Sequence, residues 1–187
     1  KKYKVIKNKY KSKYIKSFKN ISDINTITNF DFIIFAVKPK DLNIAIDNIS
    51  RHRLNKKISI VSIVAGKKII EFKKRIKNIK NFFRVMPNMP AQIGQSMNCI
   101  VADKYVGNSN KIDVKKLFTY SGSTIFLDNE TQIDKATAIS GSGPGFVFNI
   151  IDGMEKAAIT LGFKKNVAKI LVEQTFKGSI NLLLDLK

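Results

Sequence analysis

Asp31-Phe32-Ile33-Ile34-Phe35-Ala36-Val37 is a near-continuous apolar run stopped by Lys38-Pro39, and residues Ile58 to Val64 repeat the pattern before Ala65-Gly66. Apolar runs without alternation suit strands covered on both faces, so both are expected to be central strands. Between them Leu42, Ala45, Ile46 and Ile49 recur at helical spacing, and Ile69, Phe72 and Ile76 do so after the second run. Tyr3 to Ile6, Phe82 to Val85, Met97 to Val101 and Thr124 to Leu127 add strand candidates. A helix from about Ser109 to Tyr120, capped by Ser109 or Asn108, precedes the last of them. Strands alternating with amphipathic helices predict βαβ units and a parallel sheet, an α/β class.

After Asp128 the strand signals cease. Phe146, Ile150, Met154, Ala157 and Leu161 mark one helical stripe, which Gly162 ends, and Val167, Ile170, Leu171, Gln174, Gly178 and Leu182 mark another. The expected organisation is an α/β domain over 1–129 and a helical domain over 130–187, closely packed because no Pro-rich or Gly-rich linker separates them. Lys1 opens the chain in place of Met, and the last helical pattern stops unfinished at Leu182 to Lys187, so both ends are expected to be cut.

With 187 residues, 44% of them hydrophobic, the chain can bury a real core. Its formal charge of +20 would suit a nucleic acid or an acidic membrane. The lysines, however, are scattered through every segment, there is no Trp, and most Phe residues lie in apolar runs. No specific nucleic-acid partner is therefore expected. Cys99 is the one cysteine, which excludes an internal disulfide and fits a reducing compartment; in an apolar strand it reads as core. His52 lies between Arg51 and Arg53 and reads as solvated surface, so no metal site is expected. No apolar run reaches the roughly 20 residues that span a bilayer, and no signal-peptide pattern is present. A soluble, cytoplasmic protein without membrane contact is expected.

Four segments concentrate unusual residues. In Ala136-Thr137-Ala138-Ile139-Ser140-Gly141-Ser142-Gly143-Pro144-Gly145, three glycines and two serines precede a helical run. A bare helix start gathers unpaired N–H groups and partial positive charge, and glycines admit a ligand close to the backbone, although such turns also merely join elements. Phe35-Ala36-Val37-Lys38-Pro39 runs a strand into a lysine at the carboxyl edge, where open α/β sheets bind ligands; an ordinary strand exit has the same form. Ser62-Ile63-Val64-Ala65-Gly66 ends in small residues that could lie flat against a planar ring, or simply turn toward a helix. In Arg84-Val85-Met86-Pro87-Asn88-Met89-Pro90 two prolines bracket Asn88, which carries both a donor and an acceptor, as a ligand contact or a capped turn would.

Taken in order, AVKP at 36–39, SIVAG at 62–66, RVMPNMP at 84–90 and DKATAISGSGPGF at 134–146 resemble the pyrroline-5-carboxylate reductases, along the whole chain. The resemblance implies a Rossmann-like parallel-sheet domain binding NADP (or NAD), followed by an all-helical domain that forms a homodimer with the substrate site at its interface. It further implies NAD(P)H-dependent reduction of the C=N bond of 1-pyrroline-5-carboxylate, giving L-proline at the last step of proline biosynthesis. By the same resemblance Ala36, Val37, Lys38 and Pro39 contact the ribose and pyrophosphate side of the cofactor, and Ile63, Val64 and Ala65 lie near the nicotinamide. Asn88 and Glu130 also belong to the cofactor set, and Asn8 corresponds to a residue that recognises the adenosine ribose. Thr137, seven residues after Glu130, is the catalytic candidate, hydrogen bonding to the imine nitrogen, with Ser140, Gly141, Ser142 and Gly143 orienting the substrate.

The chain departs from the family pattern in places. It carries neither the glycine-rich fingerprint expected one βα unit before Lys1 nor the Ser-Pro-Gly-Gly-Thr segment expected beyond Lys187, so the domains are expected to be truncated at the start and at the end, and the chain alone to be inactive if incomplete. Met89 replaces the usual Thr, Ser96 the usual Gly, Gly145-Phe146 the usual Ala-Tyr, and Asp23 an Asn that often contacts the cofactor. The alternatives are a non-catalytic remnant or interaction fragment of such an enzyme, or another imine or hydroxyacid dehydrogenase of the same architecture.

Overall fold

The computed structural model describes residues 14–24 and 27–186. The expected strand Tyr3–Ile6 and the candidate Asn8 lie outside the described residues. Five strands, β1 (Phe32–Phe35), β2 (Ser59–Ser62), β3 (Asn81–Met86), β4 (Ser96–Ala102) and β5 (Gly122–Phe126), form one sheet in the order β1-β2-β3-β4-β5. Helices α1 (Leu42–Ser50), α2 (Ile69–Lys73) and α3 (Asn108–Thr119) connect them. The capping expected for α3 is corrected: Gly107 occupies the N-cap position, and neither Asn108 nor Ser109 caps the helix.

β1, β2 and β3 are parallel, with Phe35, Ser62 and Arg84 in register across them. β4 is antiparallel to β3, pairing Phe83 with Ala102 and Met86 with Cys99, and β5 is parallel to β4. The expected parallel sheet is thus present, with one antiparallel pair, β3–β4, set into it. The link from β3 to β4, residues 87–95, is shorter than the dozen or more residues that a parallel crossover needs. The β4–β5 link carries α3 and restores the parallel crossover. Because β4 reverses, its first residues return to the sheet edge from which the carboxyl ends of β1, β2 and β3 emerge.

Side chains alternate across the sheet and build two cores. One contains Phe35, Ile60, Phe82, Cys99 and Val101 against Leu42, Ile46 and Ile49 of α1 and Ile69 and Phe72 of α2. The Phe35 and Phe72 rings meet edge to face at 5.1 Å. The other contains Val61, Phe83, Val85 and Ile100 under Val114 of α3. All four residues of β2 are buried, as a central strand requires. β1 differs from its expectation: it is the terminal strand of the sheet among the described residues, and Ile34 is 44% exposed.

The rest of the chain is helical. α4 (Glu130–Ala136) starts at Asn129, whose side chain accepts from the Gln132 N–H at 3.0 Å, while the Gln132 side chain accepts from the Asp128 N–H at 2.9 Å. A π-helical turn, Thr137–Gly141, joins α4 to α5 (Gly143–Thr160). Gly162, with φ of 98°, turns the chain into α6 (Lys165–Asp185), which packs against α5. Ile133 anchors α4 in the first core. Along α5 and α6 only Ala168 and Val172 are buried.

Candidate active site

The segments that follow β1, β2 and β3 leave the sheet side by side. Strand neighbours lie about 4.8 Å apart, and the pairing persists past β2, where the Ile63 N–H donates to the Phe35 carbonyl at 3.0 Å. Ala36, Val37, Lys38 and Pro39 on the first exit are exposed. Pro39 opens a 3-10 turn that the Asp41 N–H closes onto the Lys38 carbonyl, and Lys38 makes no ion pair among the described residues. On the second exit the Ser62 hydroxyl accepts from the Val64 N–H at 3.2 Å, Val64 is buried and Ala65 is exposed. Gly66 has φ of 69° and open space where a Cβ would stand, a small flat surface at the strand end.

The third exit is tied to the helical part. Asn88 Oδ1 accepts from the Ser96 hydroxyl at 3.1 Å and the Met97 N–H at 3.0 Å, and its Nδ2 donates to the Ser140 carbonyl at 2.9 Å. The carboxamide thus joins the end of β3, the start of β4 and the π turn. The Ser96 hydroxyl also accepts from the Asn88 N–H at 3.1 Å, which adds a third bond to this junction.

The glycine-serine stretch is not the bare helix start expected from its composition. It is a π turn continuous with α4, closed by the Ser142 N–H donating to the Thr137 carbonyl at 2.9 Å. Its hydroxyls make this geometry local: Thr137 Oγ1 donates to the Ile133 carbonyl at 2.8 Å and Ser140 Oγ to the Ala136 carbonyl at 3.1 Å. Such turns inside helices recur at functional sites. A Cβ on Gly141 would stand 3.1 Å from Thr137 Cγ2 and 3.3 Å from Met86 Cε, a spacing that glycine leaves comfortable. A Cβ on Gly143 would meet nothing within 4 Å, Ser142 is exposed, and the buried Cys99 sulfur lies 3.9 Å from the Ser140 hydroxyl.

Glu130 is engaged within the protein. Its Oε1 accepts from the Ile69 N–H at the start of α2 at 2.9 Å and lies 3.5 Å from Arg84, whose other nitrogen pairs with Asp134 at 2.7 Å. Arg84, 3% exposed, is the contributor that sequence reasoning passed over. Its signal was available, a guanidinium inside the apolar run Asn81 to Met86 with two carboxylates four residues apart downstream. Nearby, burial raises the Glu71 carboxyl pKa, but the Lys68 N–H, the Lys67 ammonium and the Arg84 charge outweigh it and hold that carboxyl below its ordinary range.

Residues 36–39, 63–66, 86–88 and 137–143 therefore belong to one edge of the sheet, and Glu130 braces it from behind. A family model described as pyrroline-5-carboxylate reductase dimerisation matches residues 130–187. A pyrroline-5-carboxylate reductase of Haemophilus influenzae is 27% identical over 88% of this chain and 60% of its own length. A second, from Bacillus subtilis, is 35% identical over 84% of this chain and 55% of its own. Among solved structures, the reductase of Coxiella burnetii superposes with a TM-score of 0.78 at 28% identity, over 84% of this chain and 58% of that one. The Plasmodium falciparum enzyme, solved with NADP bound, gives 0.75 at 30% identity, over 84% and 59%. The chain thus spans between half and two thirds of the length of these relatives.

Proposed function

Because this chain belongs to the pyrroline-5-carboxylate reductase family, we propose that it carries part of the site at which NAD(P)H reduces 1-pyrroline-5-carboxylate to L-proline, the last step of proline biosynthesis. One observation carries the reading: three parallel strand exits and the π turn share one sheet edge, with Asn88 binding the turn to it. The exposed Ala36–Lys38 exit offers an anionic phosphate an ammonium that makes no ion pair among the described residues, and the small Ala65–Gly66 surface offers space for a flat ring. The residues present therefore fit NADP or NAD. When bound, a reduced nicotinamide supplies hydride from its C4 to the imine carbon, leaving the oxidised cofactor and a ring nitrogen that keeps its proton.

Thr137, Ser140, Gly141, Ser142 and Gly143 are assigned to the substrate. The Thr137 hydroxyl hydrogen is given to the Ile133 carbonyl, which leaves the oxygen as an acceptor. It therefore suits the N–H of a protonated imine, the form that accepts hydride more readily. Ala36, Val37, Lys38, Pro39, Ile63, Val64 and Ala65 are assigned to the cofactor. Asn88 and Glu130 support that site through internal bonds, with Asn88 Oδ1 accepting from Ser96 and Met97 and Glu130 Oε1 from the Ile69 N–H. Residues 1–129 are assigned to cofactor binding and 130–187 to self-association, with a second copy covering the exposed apolar residues of α5 and α6. A cytoplasmic location is supported by the single cysteine; among the described residues no helix is long and apolar enough to cross a membrane.

The test is oxidation of NADPH or NADH dependent on pyrroline-5-carboxylate. Thr137→Val removes the acceptor, and a hydrogen bond to a charged group contributes about 1.5–3 kcal/mol. Turnover should fall on the order of tenfold to a hundredfold while Thr137→Ser retains it. Unchanged turnover in the valine variant rules out the role.

A further inference from the structure

We infer that Arg84 is a positioning residue that fixes the rotation of α4 and thereby aims Thr137, an inference that rests on the reading of the π turn as the substrate contact. Phe82, Arg84 and Met86 alternate onto one face of β3. From this line the chain grips the α4–π segment at successive points: the Arg84 guanidinium on Glu130 and Asp134, the Met86 methyl beside Gly141, and Asn88, just past the strand, on the Ser140 carbonyl. Glu130, Asp134, Thr137 and Gly141 are spaced by four, three and four, so they lie along one side of the helical segment. Thr137 thus stands between two anchors that β3 sets.

A hydrophobic side chain at 84 would fill the same core, and a buried ion pair often stabilises no more than apolar replacements do. The fork of a guanidinium holding two carboxylates one turn apart does what an apolar contact does not: it selects a single angle about the helix axis. Glu130 extends the same bracket to the Ile69 N–H, so the loop after Ala65–Gly66 and the turn bearing Thr137 are referred to one guanidinium.

The test compares Arg84→Met, Arg84→Lys and Asp134→Asn in the full chain by amide hydrogen exchange and by steady-state kinetics. Asp134 is half exposed, so its substitution keeps the experiment informative should Arg84→Met fail to fold. Exchange of the Ser142 N–H should rise tenfold or more in Arg84→Met and severalfold in Asp134→Asn, with the amides of β2 and α6 unchanged. Arg84→Lys should fall between wild type and methionine. KM for the imine should rise at least fivefold while KM for the reduced cofactor, reached only through Glu130 and Ile69, rises by a clearly smaller factor. Unchanged exchange over 137–142, a rise spread evenly over the chain, or the two KM values moving together overturns the inference. Where the wild-type chain, carrying part of the site, turns over no imine, the exchange result alone decides whether Arg84 sets the turn.

Discussion

Gly122 shows how a position outside the assigned contacts bears on the site. Its φ is 144°, and a Cβ there would overlap the backbone of Ser96, its register partner on β4. Gly122→Ala must therefore strain the backbone or push β5 off β4, a cost of roughly 2–4 kcal/mol. Urea denaturation should show that loss, and with it a weakened Ser96–Asn88 junction. At this scale the sequence was partly legible. Asn88 stood out between its prolines, but its partners Ser96, Met97 and Ser140 are 8 to 52 residues away and no local pattern announces them. Arg84 carries no local sign of its role, because its meaning depends on Glu130 and Asp134, which only the fold brings alongside.

Elements were legible where periodicity was strong and not where hydrogen bonding had to be counted. β2, β3 and α1 follow from their apolar runs. The reversal of β4 does not follow from its own residues; it comes from the length of the 87–95 link. The π turn was hidden by composition, since Gly and Ser read as loop, whereas the Ser142 N–H closes onto the Thr137 carbonyl and continues the helix, with the Thr137 and Ser140 hydroxyls bonded to carbonyls four residues earlier. α2 is short enough to depend on its cap. Glu71 accepts from the Lys68 N–H at 3.0 Å and pairs with Lys67 at 3.1 Å. Its folded pKa is lowered, so the stabilisation it adds is present above the ordinary carboxylate range and is lost as pH falls through the lowered value. Thermal melts taken from neutral pH downward should show this component, and Glu71→Gln should remove it. An identical acid dependence in that variant would assign the effect to other carboxylates.

The whole molecule presents two surfaces that pull in opposite directions. Phe146, Phe148, Ile150, Leu171, Leu182 and Leu183 are exposed on α5 and α6, with Phe146 at 64% and Leu182 at 60%, an apolar area that a soluble monomer rarely leaves uncovered. Against this stands a formal charge of +20, which drives copies apart and attracts polyanions. Salt separates the two tendencies. Self-association through an apolar face should tighten as salt screens the repulsion between like-charged copies, whereas retention of nucleic acid should weaken steeply as counterion release loses its advantage. Sedimentation of the nucleic-acid-free chain at micromolar concentration should therefore show a dimer whose fraction grows from 50 to 500 mM salt, conditions spanning about fourteen to four ångströms of screening length. Phe146→Asp with Leu182→Asp should return it to monomer with the sheet's circular dichroism intact. An assembly that dissolves with rising salt, or that survives both aspartates, would mean that charge or another face holds the copies together.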